Sequence, residues 1–132
     1  MNQERKNIAF IFPFEKLEVW QDAVELADYI FKLMSSLPSN KNYRLINQME
    51  GAVSSVAQNI AEGKGRQYKR EFIQYLYIAE GSLFEVLTLT EILRRNELIA
   101  TSEAQIIRSK AEMIDRKLHG LINSLKQRTF SK

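Results

Sequence analysis

The residues whose types and spacing best suit chemistry lie in one short stretch, GKGRQYKR at 63–70. The stretch holds Lys64, Arg66, Lys69 and Arg70 and no acidic residue. A Walker-type phosphate loop places four residues between its glycines, follows them with Lys and Ser or Thr, and comes after a strand. Here a single residue separates the glycines and no hydroxyl follows the lysine, so this kind of loop is excluded.

Two interpretations of this basic stretch stay open, an anion-binding turn and a solvated turn between helices. Positive charge near a helix N-terminus opposes the helix dipole, and a bound anion would relieve that conflict. Lysine and arginine at such a turn can contact phosphates without reading bases. With two further arginines along the chain, the predicted nucleic-acid-binding residues are Lys64, Arg66, Lys69, Arg70, Arg94 and Arg95.

Histidine chemistry has little support, because the chain has one histidine, His119. A di-iron helical bundle requires Glu-x-x-His on two helices, whereas the residue three before His119 is Arg116. Asp115 lies one helical turn before His119, a pair that we interpret as a surface contact rather than a metal or catalytic site. We therefore predict no catalytic residue, no metal site and no cofactor, and a protein that is not an enzyme.

The composition bounds the class of protein. The chain has 132 residues, 45% apolar and 27% charged, which predicts one globular domain spanning residues 1–132. The absence of cysteine excludes a disulfide framework and is typical of the reducing cytoplasm. The apolar IAFIF at 8–12 is too short for a signal-peptide core, so we expect a cytoplasmic protein. The net charge of +3 permits a polyanionic partner but does not require one.

Apolar residues recur every three or four positions in four segments, which is the pattern of amphipathic helices. The predicted helices cover roughly 15–37, 43–63, 68–95 and 101–127. The four apolar stripes are Leu17, Trp20, Val24, Ala27, Phe31 and Met34; Leu45, Met49, Val53, Val56 and Ile60; Phe72, Leu76, Ala79, Leu83, Val86, Thr90 and Leu93; and Ile107, Ala111, Ile114, Leu118, Leu121 and Leu125. Short connections and the lack of a β pattern favour an all-α fold, an antiparallel up-down-up-down four-helix bundle.

Proline and glycine mark the predicted helix ends. Pro38 ends the first helix, and the SNKN that follows at 39–42 is interpreted as a turn. Gly63 is expected to take a positive φ where the second helix ends.

The third predicted helix is apolar around most of its circumference, with only three charged residues between 72 and 93. A helix of this kind is buried on more than one side. The acidic Glu80 at its centre argues against a membrane, because a charge at mid-bilayer depth is unfavourable. We therefore predict self-association, with Phe84 and Tyr77 at the oligomer interface.

A second group of polar and small residues lies beside the predicted core. Ser55, Asn59 and Glu62 fall at i, i+4 and i+7, so they share one helix face next to an apolar stripe. We interpret the three as structural, with Asn59 and Glu62 bonding across to the third helix or to backbone groups near the turn. Gly81 and Ser82 are expected to let helices approach closely. The predicted structural-motif residues are Ser55, Asn59, Glu62, Gly63, Gly81 and Ser82.

Four stretches carry a family resemblance, namely FEKLEVWQDA, YRLINQ, SVAQNIAEG and REFIQYLYIAEGSLFEV. Over roughly residues 14–126 the chain resembles the bacterial four-helix bundle family of the 23S rRNA intervening-sequence proteins and, more distantly, the accessory variability determinant of diversity-generating retroelements. The resemblance implies a small antiparallel bundle that assembles as a ring-like homopentamer, with proposed nucleic-acid binding. Two places depart from the pattern: Glu50-Gly51 stands where relatives often carry basic residues, and Gln67-Tyr68 replaces a frequent Ser or Thr helix cap.

Two functions from different classes follow from these observations. The first is a non-enzymatic oligomer that binds RNA or DNA through basic surface residues without strong sequence preference. The second is a protein-interaction scaffold or accessory subunit with no direct nucleic-acid contact, for which the resemblance suggests a partner such as a reverse transcriptase. Neither hypothesis involves a membrane.

Overall fold

Four α-helices account for most of residues 8–130, the part of the chain that the computed structural model describes, with side chains described as far as residue 127. They are α1 (Glu18–Ser35), α2 (Ser39–Lys64), α3 (Lys69–Arg95) and α4 (Thr101–Phe130), preceded by a 3-10 turn at Pro13–Lys16. Residues 8–130 contain no strand. The predicted all-helical class with four helices is confirmed.

Connections of three to five residues reverse the chain between successive helices, so neighbouring helices run antiparallel. α1 packs on α2, α2 on α3 and α3 on α4, and α4 closes the arrangement against α1. Each helix contributes fully buried side chains to the core, among them Leu26, Met49, Leu76 and Leu118. Replacing such a leucine by alanine lowers the free energy of unfolding by about 2–5 kcal/mol. Within residues 8–130 no helix has the length and apolar character that a membrane crossing demands.

α1 buries a face that is offset by one residue from the predicted stripe. Its buried residues are Val19, Ala23, Leu26, Ile30 and Met34. Val24 and Phe31, predicted to be core residues, are 40% and 42% exposed. Trp20 packs edge-on against Phe10 and Phe14 of the preceding segment, with ring centroids 5.7 and 5.3 Å away. Two apolar stripes run side by side along this helix, and a one-residue offset rotates the buried face by about 100°.

The SNKN stretch at 39–42 forms the first turn of α2, so the predicted turn there was wrong. Pro38 is the N-cap, in an extended conformation with ψ of 118°, and its carbonyl accepts a hydrogen bond from Asn42 Nδ2 at 2.8 Å. The fixed φ of proline and its missing N–H suit the beginning of a helix as well as the end of one. Three residues are therefore enough to join α1 to α2.

Gly63 lies inside α2 and does not have a positive φ, so that prediction was wrong. The residue is instead buried where α2 meets α3. A Cβ atom built at Gly63 would lie 2.6 Å from the Cβ of Tyr75 and 2.9 Å from Cδ1 of Phe72. Glycine is thus needed for the close approach of the two helices rather than for a left-handed backbone.

α3 buries one face and exposes apolar residues on another. Its predicted stripe is buried at every position. Tyr77, Phe84 and Ile92 are exposed and recur at helical spacing on the outer face, together with Gly81. We call these four residues the outer stripe of α3. A Cβ atom built at Gly81 would have nothing within 4 Å, so the close approach expected there is not made within this chain.

Candidate functional site

The four cations of the basic stretch lie at one end of the bundle, where α2 ends and α3 begins. We call this surface the basic end and define it by Lys64, Arg66, Lys69 and Arg70. The last turns of α4 lie beside it, because Leu125 helps Lys64, Arg66 and Lys69 to line an open hollow of about 160 Å³. The structure therefore brings most of the predicted basic-stretch residues around one concave surface.

Arg66 is held in place by two side chains. Its Nη2 donates to Glu62 Oε2 at 2.7 Å and to the Tyr75 hydroxyl at 2.6 Å. Its guanidinium also lies over the Tyr75 ring, 4.8 Å from the centroid. These contacts tie the end of α2 to α3, and they satisfy part of the charge of Arg66 within the chain.

The other three cations of the basic end are less constrained. Lys64 Nζ lies 5.8 Å from the centroid of the Phe72 ring. Lys69 and Arg70 are exposed. None of the three forms an ion pair with another residue in the described part of the chain. Their charges are therefore available to an anionic partner.

The beginning of α3 adds a second feature to this surface. Tyr68 is the N-cap, and its side chain caps no backbone group. The first N–H groups of the helix thus have no side-chain acceptor, which is the condition under which helix N-termini bind anions. The Tyr68 ring is 61% exposed beside the cations. An exposed aromatic ring next to basic residues is suited to stacking on a nucleic-acid base.

Arg94 and Arg95 lie at the opposite end of α3 from the basic end. Lys69 and Arg95 are the first and last of the 27 residues of α3, which correspond to roughly 39 Å of helix. Both arginines bind Glu91, Arg94 through Nε at 3.1 Å and Nη2 at 2.7 Å, and Arg95 through Nε at 2.7 Å. Hydrogen bonds from Arg94 and Arg95 lower the pKa of Glu91 to about 2. The six predicted contacts therefore form two separate groups, and the second group is partly neutralised.

Ser55, Gly63 and Ser82 of the predicted structural motif lie at the contact between α2 and α3, whereas Gly81 lies on the outer stripe. The hydroxyl oxygens of Ser55 and Ser82 are 2.8 Å apart and join the two helices. Asn59 Nδ2 donates within α2, to the carbonyl of Ser55 at 2.8 Å and to its hydroxyl at 2.9 Å. Glu62 binds Arg66 rather than α3. Among the described residues, neither Asn59 nor Glu62 therefore makes the expected bond to α3, and the direct bond between the two helices comes from Ser55 instead.

A cluster of titratable side chains joins α3 to α4 away from the basic end. His119 Nε2 lies 2.5 Å from Glu80 Oε2 and 3.9 Å from Asp115 Oδ1. Burial, followed by the neighbouring carboxyl of Glu80, raises the pKa of Asp115 to about 6, although His119 acts in the opposite direction. The sequence indicated the Asp115–His119 pair but not Glu80. No signal in the sequence shows which residue of α3 faces α4 at this level.

The two predicted interface residues are both exposed in the single chain. Phe84 is 49% and Tyr77 is 42% exposed, on the outer stripe of α3. The Tyr77 hydroxyl accepts a hydrogen bond from Lys126 Nζ at 3.1 Å. Exposed aromatic side chains at helical spacing are the kind of surface that a second subunit covers.

Comparison with known proteins places the chain in a family. The model of the 23S rRNA-intervening sequence protein family matches residues 15–120. The chain belongs to that family. The chain is also similar to a protein of unknown function of the S23 ribosomal protein family from Bacteroides thetaiotaomicron, with a TM-score of 0.75 and 26% identity. The match covers 80% of this chain and 95% of that one. No curated protein matches this member of the family.

Proposed function

We propose that this chain is a non-enzymatic helical oligomer that binds the backbone of RNA or DNA through its basic end, without strong sequence preference. One observation carries the proposal. Lys64, Lys69 and Arg70 lie around the uncapped beginning of α3 and form no ion pair with any described residue. Nucleic-acid backbones present closely spaced phosphates, and cations with no internal partner bind them by releasing counterions. We place this activity in the cytoplasm.

The basic end offers three kinds of contact to a single strand. Lys69 and Arg70 supply charge, the first N–H groups of α3 supply hydrogen-bond donors, and the exposed ring of Tyr68 supplies a stacking surface. None of these contacts distinguishes one base from another, so we expect binding that tolerates sequence changes. Arg94 and Arg95, which both bind Glu91, are predicted to form a second and weaker contact with the nucleic acid.

Assembly would multiply this modest charge. The outer stripe of α3 supports self-association, because it combines exposed aromatic side chains with an open Gly81 at its centre. We propose that the oligomer is the ring-like homopentamer that the family resemblance implies. Several copies of the basic end held together engage one nucleic acid more strongly than a single copy does.

A second candidate is a protein-interaction scaffold or accessory subunit, with a partner such as a reverse transcriptase and no direct nucleic-acid contact. The specific observation that favours it is the apolar segment before the 3-10 turn. Ile8 and Ile11 are 70% and 69% exposed, and Phe12 is 55% exposed. Several large apolar side chains in one exposed segment are suited to binding a partner protein.

Salt-dependent binding tests the first proposal. Fluorescence anisotropy with labelled single-stranded RNA and DNA should show affinities whose logarithm falls with log salt, by about 0.7–0.9 per phosphate contacted. Changing Lys64, Lys69 and Arg70 together to Gln should weaken binding and flatten this slope. Arg66 is left unchanged, because it also holds α2 to α3.

The matched control changes Lys41, Arg44 and Arg108 together to Gln, which removes the same charge from exposed positions near the other end of the bundle. We expect this variant to bind nearly as the unchanged protein does. Equal weakening by both triple variants would show that net charge, not the basic end, is responsible. No binding by the unchanged protein at low salt would favour the scaffold.

A further inference from the structure

We propose that Glu80, Asp115 and His119 form a binding site for a divalent transition-metal ion such as Zn²⁺. This departs from the sequence-based expectation of no metal site, and it is independent of the nucleic-acid proposal. Glu80 is 11 residues along α3 from Lys69, which corresponds to roughly 16 Å of helix. The site and the basic end are therefore separate surfaces.

The fold brings three potential metal-ligating side chains from two helices close to one another. Asp115 and His119 are one turn apart on α4, and Glu80 faces them from α3. One ligand atom from each residue can be chosen so that all three lie within 4.8 Å of one another. Two rigid helices that pack along the same core position these side chains, so the ligands are brought together by the fold and not by a loop.

The donor set indicates which ion suits the site. An imidazole nitrogen with two carboxylate oxygens matches Zn²⁺ and its neighbours in the transition series, whereas Mg²⁺ and Ca²⁺ prefer oxygen ligands alone. Three protein ligands leave a fourth position for water or another group, as in zinc sites that are open to solvent. His119 is 47% exposed at its side chain, so an ion can reach the cluster from outside.

A shielded oxygen in the cluster is a separate observation that favours a ligand. Asp115 Oδ1 is buried and has no hydrogen-bond partner among the described residues. A buried carboxylate oxygen without a partner is unfavourable, and either a proton or a metal ion would relieve it. Two carboxylates cannot form a hydrogen bond with each other, so Glu80 does not provide Asp115 Oδ1 with a donor unless Glu80 is protonated. A metal ion bound to His119 Nε2 and to one oxygen of each carboxyl group would satisfy all three side chains at once.

The present geometry needs only a small adjustment to hold the ion. Zn–N and Zn–O bonds are about 2.0–2.2 Å, so ligand atoms in a tetrahedral site lie roughly 3.3–3.5 Å apart. His119 and Glu80 would separate from 2.5 Å, and Asp115 Oδ1 would approach His119 from 3.9 Å. For these two pairs the changes are about 1 Å or less, which is within the reach of side-chain rotation at a half-exposed histidine.

Metal titration of the tag-free full chain tests the proposal, after dialysis against a chelator. Zn²⁺ in competition with a chromophoric chelator at neutral pH should bind as a single ion per chain and raise the melting temperature. Co²⁺ should give visible absorption bands with the intensity of a four- or five-coordinate site. The variants Glu80→Gln, Asp115→Asn and His119→Ala should each weaken Zn²⁺ binding by roughly tenfold or more, since even groups outside the first ligand shell contribute 10–100-fold.

Glu25→Gln provides the matched control, because it removes one exposed acid from α1. We expect it to leave Zn²⁺ binding unchanged. Circular dichroism of each variant checks that the helices are intact. Zn²⁺ binding that survives all three cluster substitutions, or the absence of any binding by the unchanged protein, would overturn the proposal.

Discussion

The α-carbon of Gly63 approaches Tyr75 so closely that a Cβ added to the glycine would lie 2.6 Å from the Cβ of the tyrosine. The obstructing atom is attached directly to the backbone of α3 and cannot rotate away. The two helices would have to move apart at this level, and Arg66 and Tyr75, which lie next to the contact, would move with them. The close approach of α2 and α3 therefore depends on the absence of a single side chain.

Gly63→Ala should lower the free energy of unfolding by about 1–3 kcal/mol, because it overpacks a buried contact. Gly51→Ala is the control in the same helix. Gly51 has nothing within 4 Å of an added Cβ, so alanine should stabilise the protein by up to about 1 kcal/mol through helix propensity. Urea unfolding of both variants measures the difference, and a neutral or stabilising Gly63→Ala would contradict the close contact.

Phe84→Asp should reduce assembly, because it places a charge in the outer stripe of α3. Tyr43→Asp is the control, since Tyr43 is a 62% exposed aromatic residue near the beginning of α2 and away from that stripe. Multi-angle light scattering at micromolar concentration should give an oligomer for the unchanged protein and for the control, and a smaller species for Phe84→Asp. A monomer mass for the unchanged protein would refute self-association through this surface.

The raised pKa of Asp115 predicts a specific pH dependence of stability. Because its pKa rises from 3.8 to about 6 on folding, the folded state keeps a proton that the unfolded state has lost between these values. The stability that this protonated Asp115 carboxyl gives to the folded state is therefore fully present below about pH 4 and is lost as the pH rises through about 6. It is small, because Asp115 is partly exposed.

Asp115→Asn should remove this pH dependence, and Glu80→Gln should reduce it because the Glu80 carboxyl is one of its causes. The measurement is the difference in unfolding free energy between variant and unchanged protein, taken by urea titration from pH 4 to pH 7 in the presence of a chelator. Glu25→Gln should give a difference that varies little over this range. If the difference in unfolding free energy for Asp115→Asn also varied little between pH 4 and pH 7, the raised pKa of Asp115 would be excluded.

Lys117 joins α4 to α1 and should contribute more to stability than an exposed lysine. Its Nζ lies 2.6 Å from Asp22 Oδ2 and 3.1 Å from Glu18 Oε1, and these contacts raise the pKa of Lys117. Lys117→Met should lower the free energy of unfolding, because it leaves the mostly buried Asp22 carboxylate without its cation. Lys32→Met, which breaks the exposed pair with Asp28, should cost less than about 0.5 kcal/mol. Equal losses for the two variants, measured by thermal unfolding, would contradict this ranking.

Periodicity predicted some buried faces of the helices and not others. The predicted core stripe of α3 was correct. Apolar residues on the outer face of this helix, such as Phe84, did not obscure the regular spacing of the buried residues. In α1, Val24 and Phe31 formed an equally regular second stripe, and only packing against α2 and α4 shows that it lies outside. Ile46 and Ile122 are likewise more buried than the predicted Leu45 and Leu121 beside them.

The candidate sites were predictable to different extents. The basic end could be read from the sequence because its cations are close together along the chain. Gly63 was identified as structural for the wrong reason, because sequence does not show how near another helix comes. Glu80 could not be paired with His119, since the relative rotation of α3 and α4 depends on the packing of the entire core.

The two ends of the bundle are chemically different, and this has a consequence for any closed ring. Rotational symmetry places the same end of each subunit at the same height along the axis. If α3 runs roughly along that axis, every basic end faces one side, and every Glu91 with its two arginines faces the other. Such an assembly has a front and a back, so a nucleic acid would approach from one side only and leave the opposite surface free.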